Sequence, residues 1–360
     1  MSGCEYESSE FVPQRNDTIF NCSPLSYSFD IDGGSTQIKL NSTLFCVASS
    51  DKQWLTVTPD SINGSRSAQT ITICATAGEA DVATITIADT IGKNELFFKV
   101  FRIDVSSRWP SGALPGEFSV SPDRKVKFSV GNLCYDAGDA IWSFSSFQYK
   151  YVGLNNDKLT LYGFDGSVDL FGWGTAGSPL CVSQDNAEYG LLDNDISFTN
   201  YDWGVSNPIA NGMNESGKWR TLSKTEWEYI LNERTDVEPP VHAYVCGING
   251  MMIFPDDFRQ NAMYKDSTLF HARSMVDGVR DFDVAQFVDT LEMMGAVFLP
   301  FSGVRNVNVI HELNVSGYYW TSTCYDEDNA YYLSLHDFGR FIMYGNKQYG
   351  RAVRLVKDVP

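Results

Sequence analysis

Four histidines and eight cysteines are the residues of this 360-residue chain best suited to chemistry, and their spacing limits what they can do. His242, His271, His311 and His336 never stand at a metal-ligand spacing such as His-x-x-x-His. Cys4, Cys22, Cys46, Cys74, Cys134, Cys181, Cys246 and Cys324 include no Cys-x-x-Cys pair, so a zinc site is not expected. Cys46 and Cys74 stand on candidate strands of one domain, where they either pair or pack as small apolar groups. There is no Gly-x-Ser-x-Gly elbow and no phosphate loop. Asp193-Asn194-Asp195 and Asp326-Glu327-Asp328 are oxygen-rich enough to attract a hard cation, yet solvated acidic loops are the commoner meaning of such runs. The sequence therefore assigns no catalytic residue, metal ligand or cofactor.

Recognition is the chemistry it favours. Between Tyr319-Trp320-Thr321-Ser322-Thr323 and the closing Arg351-Ala352-Val353-Arg354-Leu355-Val356 lies an alternating stretch. Tyr331, Leu333 and Leu335 fall on one side of a strand; Tyr332, Ser334 and His336 fall on the other. One side can be buried while the other shows mixed polar and aromatic groups to a partner.

Composition narrows the partners. A net charge of −18 repels nucleic-acid phosphates and anionic membrane surfaces. No apolar run is long enough for a spanning helix. The opening Ser2-Gly3-Cys4 resembles the end of a bacterial lipoprotein signal, with Cys4 as the acylated residue. Glu5, Glu7 and Glu10 follow, like the export signal that sends Bacteroides lipoproteins to the outer face of the outer membrane. The expected address is the cell surface, with membrane contact only through that lipid.

The elements that must position the late strands divide the chain. Residues 1–22 read as a flexible tether. Residues 23–105 read as an all-β sandwich, with Thr70-Ile71-Thr72-Ile73-Cys74 and Ala83-Thr84-Ile85-Thr86-Ile87 alternating at period two. Phe29-Asp30-Ile31-Asp32-Gly33-Gly34, Asp51-Lys52-Gln53-Trp54-Leu55-Thr56-Val57-Thr58-Pro59 and the Thr-Ile-Thr-Ile pattern resemble the BACON domain, an immunoglobulin-like module of Bacteroidetes surface proteins. Asp81-Val82 stand where that family usually has an arginine. The resemblance implies binding of carbohydrate or mucin, but no cluster of exposed aromatics in this stretch calls for a sugar site, and a rigid spacer is the expected role. Residues 106–116, with two prolines and two glycines, read as a linker that breaks regular structure.

Residues 117–360 read as an α+β domain. Ser223 and Glu226 form a capping box ahead of the stripe Trp227, Ile230, Leu231. A second helix is expected from about Phe282 to Met294, stopped by Gly295. Short strands are expected at Phe118–Val130, Ile253–Phe258, Val297–Leu299, Tyr331–Leu335 and Ala352–Val356. Trp219, Trp227, Trp320 and Arg354 are expected in the core.

The string Val126-Lys127-Phe128-Ser129-Val130-Gly131-Asn132-Leu133, Asp169-Leu170-Phe171-Gly172-Trp173-Gly174-Thr175, Asp202-Trp203-Gly204, Trp219 to Trp227 and Gly295-Ala296-Val297-Phe298-Leu299-Pro300 resembles a C-type-lectin-like domain distantly related to formylglycine-generating enzymes. The resemblance implies a lectin-type fold whose late strands carry the ligand, and some bacterial members are diversified there by retroelements. By position, the implied ligand-binding set is Tyr325, Asp326, Asp328, Tyr332, Ser334, His336, Phe338, Arg340 and Tyr344. The expected activity is non-catalytic binding of a host or microbial glycan or surface protein. A subunit of a surface pilus or glycan-uptake assembly is the alternative, with Val12-Pro13-Gln14-Arg15 as a possible processing point. A copper-dependent oxidase is disfavoured, because lone Cys324 lacks the thiolate pair such enzymes use.

Overall fold

The computed structural model describes residues 18–23, 26–90, 93–261, 274–276 and 279–360. Cys4, the Val12–Arg15 stretch and His271 lie outside the described residues. The chain packs as two compact units. One comprises residues 1–25, 33–77 and 82–100; the other comprises 26–32, 78–81 and 101–360.

The first unit is built of antiparallel strands. One sheet orders Phe20–Ser23, Gly34–Ser42, Gln69–Ala75 and Leu55–Thr58. Another runs Glu95–Ile103, Asp81–Asp89, Cys46–Ser50 and Ser61–Ile62. Period-two alternation puts Ile71 and Ile73, and likewise Ala83, Ile85 and Ile87, on buried faces. Cys46 and Cys74 stand in different sheets, and both are free thiols.

The second unit combines several sheets with short helices. The strand Leu355–Asp358 pairs with Lys125–Phe128 on one side and with Arg220–Thr221 on the other, so it joins segments far apart in the chain. A five-stranded sheet orders Ser274–Val276, Val279–Phe282, Val241–Val245, Ile248–Ile253 and Val297–Pro300. Trp173, Trp203, Trp219, Trp227 and Trp320 share one apolar core. Phe147, Phe254, Phe258, Phe287 and Phe298 centre a second. Arg354 is buried as expected, donating from Nη2 to Gln148 Oε1 at 2.8 Å.

Five expectations change. The strand expected over Phe118–Val130 is two, Phe118–Ser119 and Lys125–Phe128, and the one expected over Ala352–Val356 begins only at Leu355 and runs to Asp358. Residues 106–116 do not simply break structure. Val105–Arg108 is a helical turn capped by the Asp104 side chain, and Ala113 and Leu114 are buried in the core. The chain gains more from burying Leu114 than from freedom at the flanking prolines and glycines. The strand expected at Ile253–Phe258 ends at Ile253, and Phe258 opens a 3-10 turn, because Pro255 has no amide to continue a ladder. The second helix begins after Phe282, which ends a strand. Asp283 caps it in a box with Gln286, and a π-helical turn over Phe287–Leu291 follows.

Candidate functional site: the C-terminal ribbon

The late strands form a three-stranded antiparallel ribbon of Gly317–Cys324, Asn329–His336 and Gly339–Asn346. Directly paired residues share a face. Tyr319 pairs with Leu333, and Leu333 with Ile342. Leu335 pairs with Gly317 and Arg340. Tyr319, Leu333 and Leu335 are fully buried. Burying each leucine contributes about 2 kcal/mol. The helix Lys224–Glu228 lies against the first two strands, and Lys224 N donates to Thr323 Oγ1 at 3.1 Å.

The opposite face carries Tyr318, Ser334 and Phe341 in one row and Trp320, Tyr332 and Met343 in the next. It is not uniformly open. Trp320 is buried under Arg351, whose guanidinium lies 4.2 Å from the Trp320 ring and 3.9 Å from the Tyr332 ring. Burial holds the Arg351 pKa down, to about 10. The open part lies at the Asp337–Phe338 turn. Phe338 is 77% exposed, Phe341 46% and Met343 47%. The His336 ring stacks on Phe338 with centroids 4.8 Å apart and planes 9° apart.

Polar groups on this face are engaged with one another. His336 Nε2 is 2.8 Å from Ser334 Oγ, and its Nδ1 is 3.0 Å from Ser316 Oγ. Tyr318 donates its hydroxyl to Glu312 Oε2. A serine beside an imidazole suggests nucleophilic chemistry, but Ser334 is only 4% exposed. It sits mid-strand with ladders on both sides, so the amides around it pair within the sheet and present no donor pair to an oxyanion.

The nine residues expected to bind a ligand therefore divide. Tyr332, His336 and Phe338 gather on the outer face. Ser334 lies there too, but buried between its cross-strand neighbours Tyr318 and Phe341 rather than exposed. Arg340 belongs to the other face and donates from Nη2 to the Leu231 carbonyl at 3.2 Å. Tyr344 also belongs there, stacked on Tyr325 with centroids 3.9 Å apart and with Tyr331 edge-on to both. Tyr325 and Tyr344 are about half exposed. Asp326 and Asp328 build the turn. Asp326 Oδ1 accepts from the Asp328 and Asn329 amides, and Asp328 Oδ1 accepts from Asn186 Nδ2. Phe341 and Met343 were missed. The two-residue turn at Asp337–Phe338 is the signal that would have placed them, because it fixes His336 opposite Gly339 and hence Phe341 opposite Ser334.

Among the described residues, no three His, Cys, Asp or Glu side chains come together as a metal-ligand set. No helix is long and apolar enough to cross a membrane among those residues.

No family model matches the chain, and no curated protein matches it. Among solved structures it is similar to WR4, a C. elegans MSP family member, at 15% identity over 24% of this chain and 99% of that one, with a TM-score of 0.22. It is similar to a Bacteroides ovatus GH5 xyloglucanase at 14% identity over 39% of this chain and 33% of that one, with a TM-score of 0.22. It is also similar to a PapD-like domain of human CEP192 at 14% identity over 28% of this chain and 99% of that one, with a TM-score of 0.20. Scores of this size do not establish a shared fold.

Proposed function

We propose that the chain is a binding protein whose second unit, a lectin-type domain, recognises a glycan or protein partner through the open half of the ribbon's outer face. One observation carries this reading. Exposed Phe338 and half-exposed Phe341 flank the His336 ring, with half-exposed Met343 further along the same face, while Tyr319, Leu333 and Leu335 seal the other side of the same strands. Exposed rings in a cluster cost solvation and supply contact area to a partner. In this reading the first unit is an immunoglobulin-like spacer, and lipidated Cys4 anchors the chain at the cell surface.

A glycan array and a pull-down from host mucus, run with the wild type and with Phe338→Ser/Phe341→Ser, test the reading. Phe338 is largely in water and Phe341 about half exposed, so the variant should fold, and every specific interaction should weaken at least tenfold. If the double variant keeps the wild-type partners at wild-type affinity, the ribbon is not the recognition face.

A further inference from the structure

Away from the ribbon, one cleft combines aromatic surface, uncommitted hydrogen-bonding groups and unusual backbone. It lies between the hairpin of Leu133–Asp136 with Ile141–Phe144 and the loops at 176–179 and 207–214, and its volume is about 470 Å³. Tyr135 pairs with Trp142 across the hairpin, their rings 4.9 Å apart, and Ile141 adds an exposed apolar rim. No charged side chain lines the cleft, in a chain whose net charge is −18.

Two polar groups there have no protein partner among the described residues: the Tyr135 hydroxyl and the Asn214 side-chain amide. Asn207 uses its Nδ2 on the Ala176 and Trp203 carbonyls, at 3.0 and 3.1 Å, which fixes the side chain and leaves its amide oxygen as an acceptor. Ala140 (φ 54°) and Asn214 (φ 55°), which line the cleft, lie in the left-handed region. Left-handed backbone at non-glycine residues is uncommon and concentrates at binding sites.

We propose that this cleft binds a neutral sugar ring, at a site separate from the ribbon face. An anion or cation would be desolvated there without a counter-charge, which disfavours carboxylates, phosphates and amines. A purely apolar ligand would leave the Tyr135 and Asn207 and Asn214 groups unpaired. A saturated ring with a C–H face for Tyr135 and several hydroxyls for the amides meets both conditions. The volume lies within the range of small-ligand pockets.

The test titrates the full isotope-labelled chain with glucose, galactose, mannose and N-acetylglucosamine, and with their disaccharides. Glucuronate and adenosine serve as charged and planar comparisons, and amide shifts are read by NMR. At least one neutral sugar should shift the Ala140, Gly177 and Asn214 amides saturably. Tyr135→Phe, which removes only a hydroxyl, and Asn214→Gly, which glycine's tolerance of positive φ keeps folded, should each weaken binding by about fivefold. Phe338→Ser should leave it unchanged, which separates this site from the ribbon. The proposal falls if no neutral sugar gives a saturable shift at those amides, if glucuronate or adenosine binds more tightly, or if both variants keep full affinity.

Discussion

The Lys347 Nζ stands 2.6 Å from the Leu192 carbonyl oxygen, and both the side chain and its charge are inside the protein. The same ammonium donates to the Asp326 and Glu327 carbonyls at 2.9 and 3.0 Å and lies 4.8 Å from the Trp173 ring centroid. A cation of the chain's own thus ties the acidic turn of the ribbon to the loop at 191–192.

Lys347→Met keeps the stem and removes the charge, leaving the Glu327 carbonyl without that donor and the Asp326 and Leu192 carbonyls with only the weak Cys324 thiol. Unfolding in denaturant should show a loss of about 3 kcal/mol, and amide exchange at residues 325–329 should speed up before that of the ribbon strands. A loss below about 1 kcal/mol would mean that water replaces the ammonium easily.

Three buried carboxyls should add stability as pH falls from 8 towards 5, outweighing buried Lys150, whose pKa burial holds down to about 7 and which acts in the opposite direction. Burial pushes the Asp169 carboxyl up to about 6, against hydrogen bonds from the Val152 amide and Asn156. Burial does the same to Asp202, to about 6, and to Glu292, to about 7. A carboxyl whose folded pKa exceeds its unfolded value binds more protons when folded. Its contribution is fully present below the unfolded value near 4 and is lost as pH rises through 6 to 7. Below about pH 4 the trend should reverse. The Arg220 hydrogen bonds hold Asp358 low. Asp256, despite burial, is held low by Ser119 and Arg234. Urea midpoints measured from pH 4 to 8 check this, and Asp169→Asn should flatten the upper limb. Midpoints that climb between pH 6 and 8 would show the sign to be wrong.

Local chemistry was legible where it is closed within a few residues. The Ser223–Glu226 box formed as read, and Leu333 and Leu335 point inward as their alternation required. What lay beyond reach depended on neighbours far along the chain. Ser334 alternates with the buried leucines, yet Tyr318 and Phe341 on the flanking strands cover it. Arg351 closes over Trp320 and Tyr332 from outside the ribbon, which no periodicity within 329–336 encodes. Arg340 and Tyr344 were assigned to the binding set by position alone, and the register of one short turn moves both to the other face.

Glu226 does more than cap a helix. Its Oε2 accepts from the Ser223 amide at 2.9 Å, and its two oxygens take Arg220 Nη1 and Nη2, each at 2.9 Å. Arg220 in turn reaches Asp358 in the closing strand. Glu226→Ala should cost about 3 kcal/mol, because it leaves a mostly buried guanidinium short of its partner, while Glu226→Gln should cost less by retaining the cap. Equal losses in the two variants would assign the effect to the lost charge rather than to the cap.

Gly295 stops the second helix for a reason that a glycine scan can isolate. Its φ is +89°, and a Cβ there would sit 2.6 Å from Gly116 Cα and 2.8 Å from Gly116 N, both backbone atoms that cannot swing aside. Gly163 also has a positive φ, +72°, but a Cβ there would meet nothing within 4 Å. Gly163→Ala should therefore cost only the left-handed backbone, about 1 kcal/mol. Gly295→Ala should cost that and the displacement of the 116 segment, about 3 kcal/mol in all. Thermal and denaturant unfolding of the two variants measure the difference. If Gly295→Ala costs no more than Gly163→Ala, the approach of the two glycines places no steric demand on the fold.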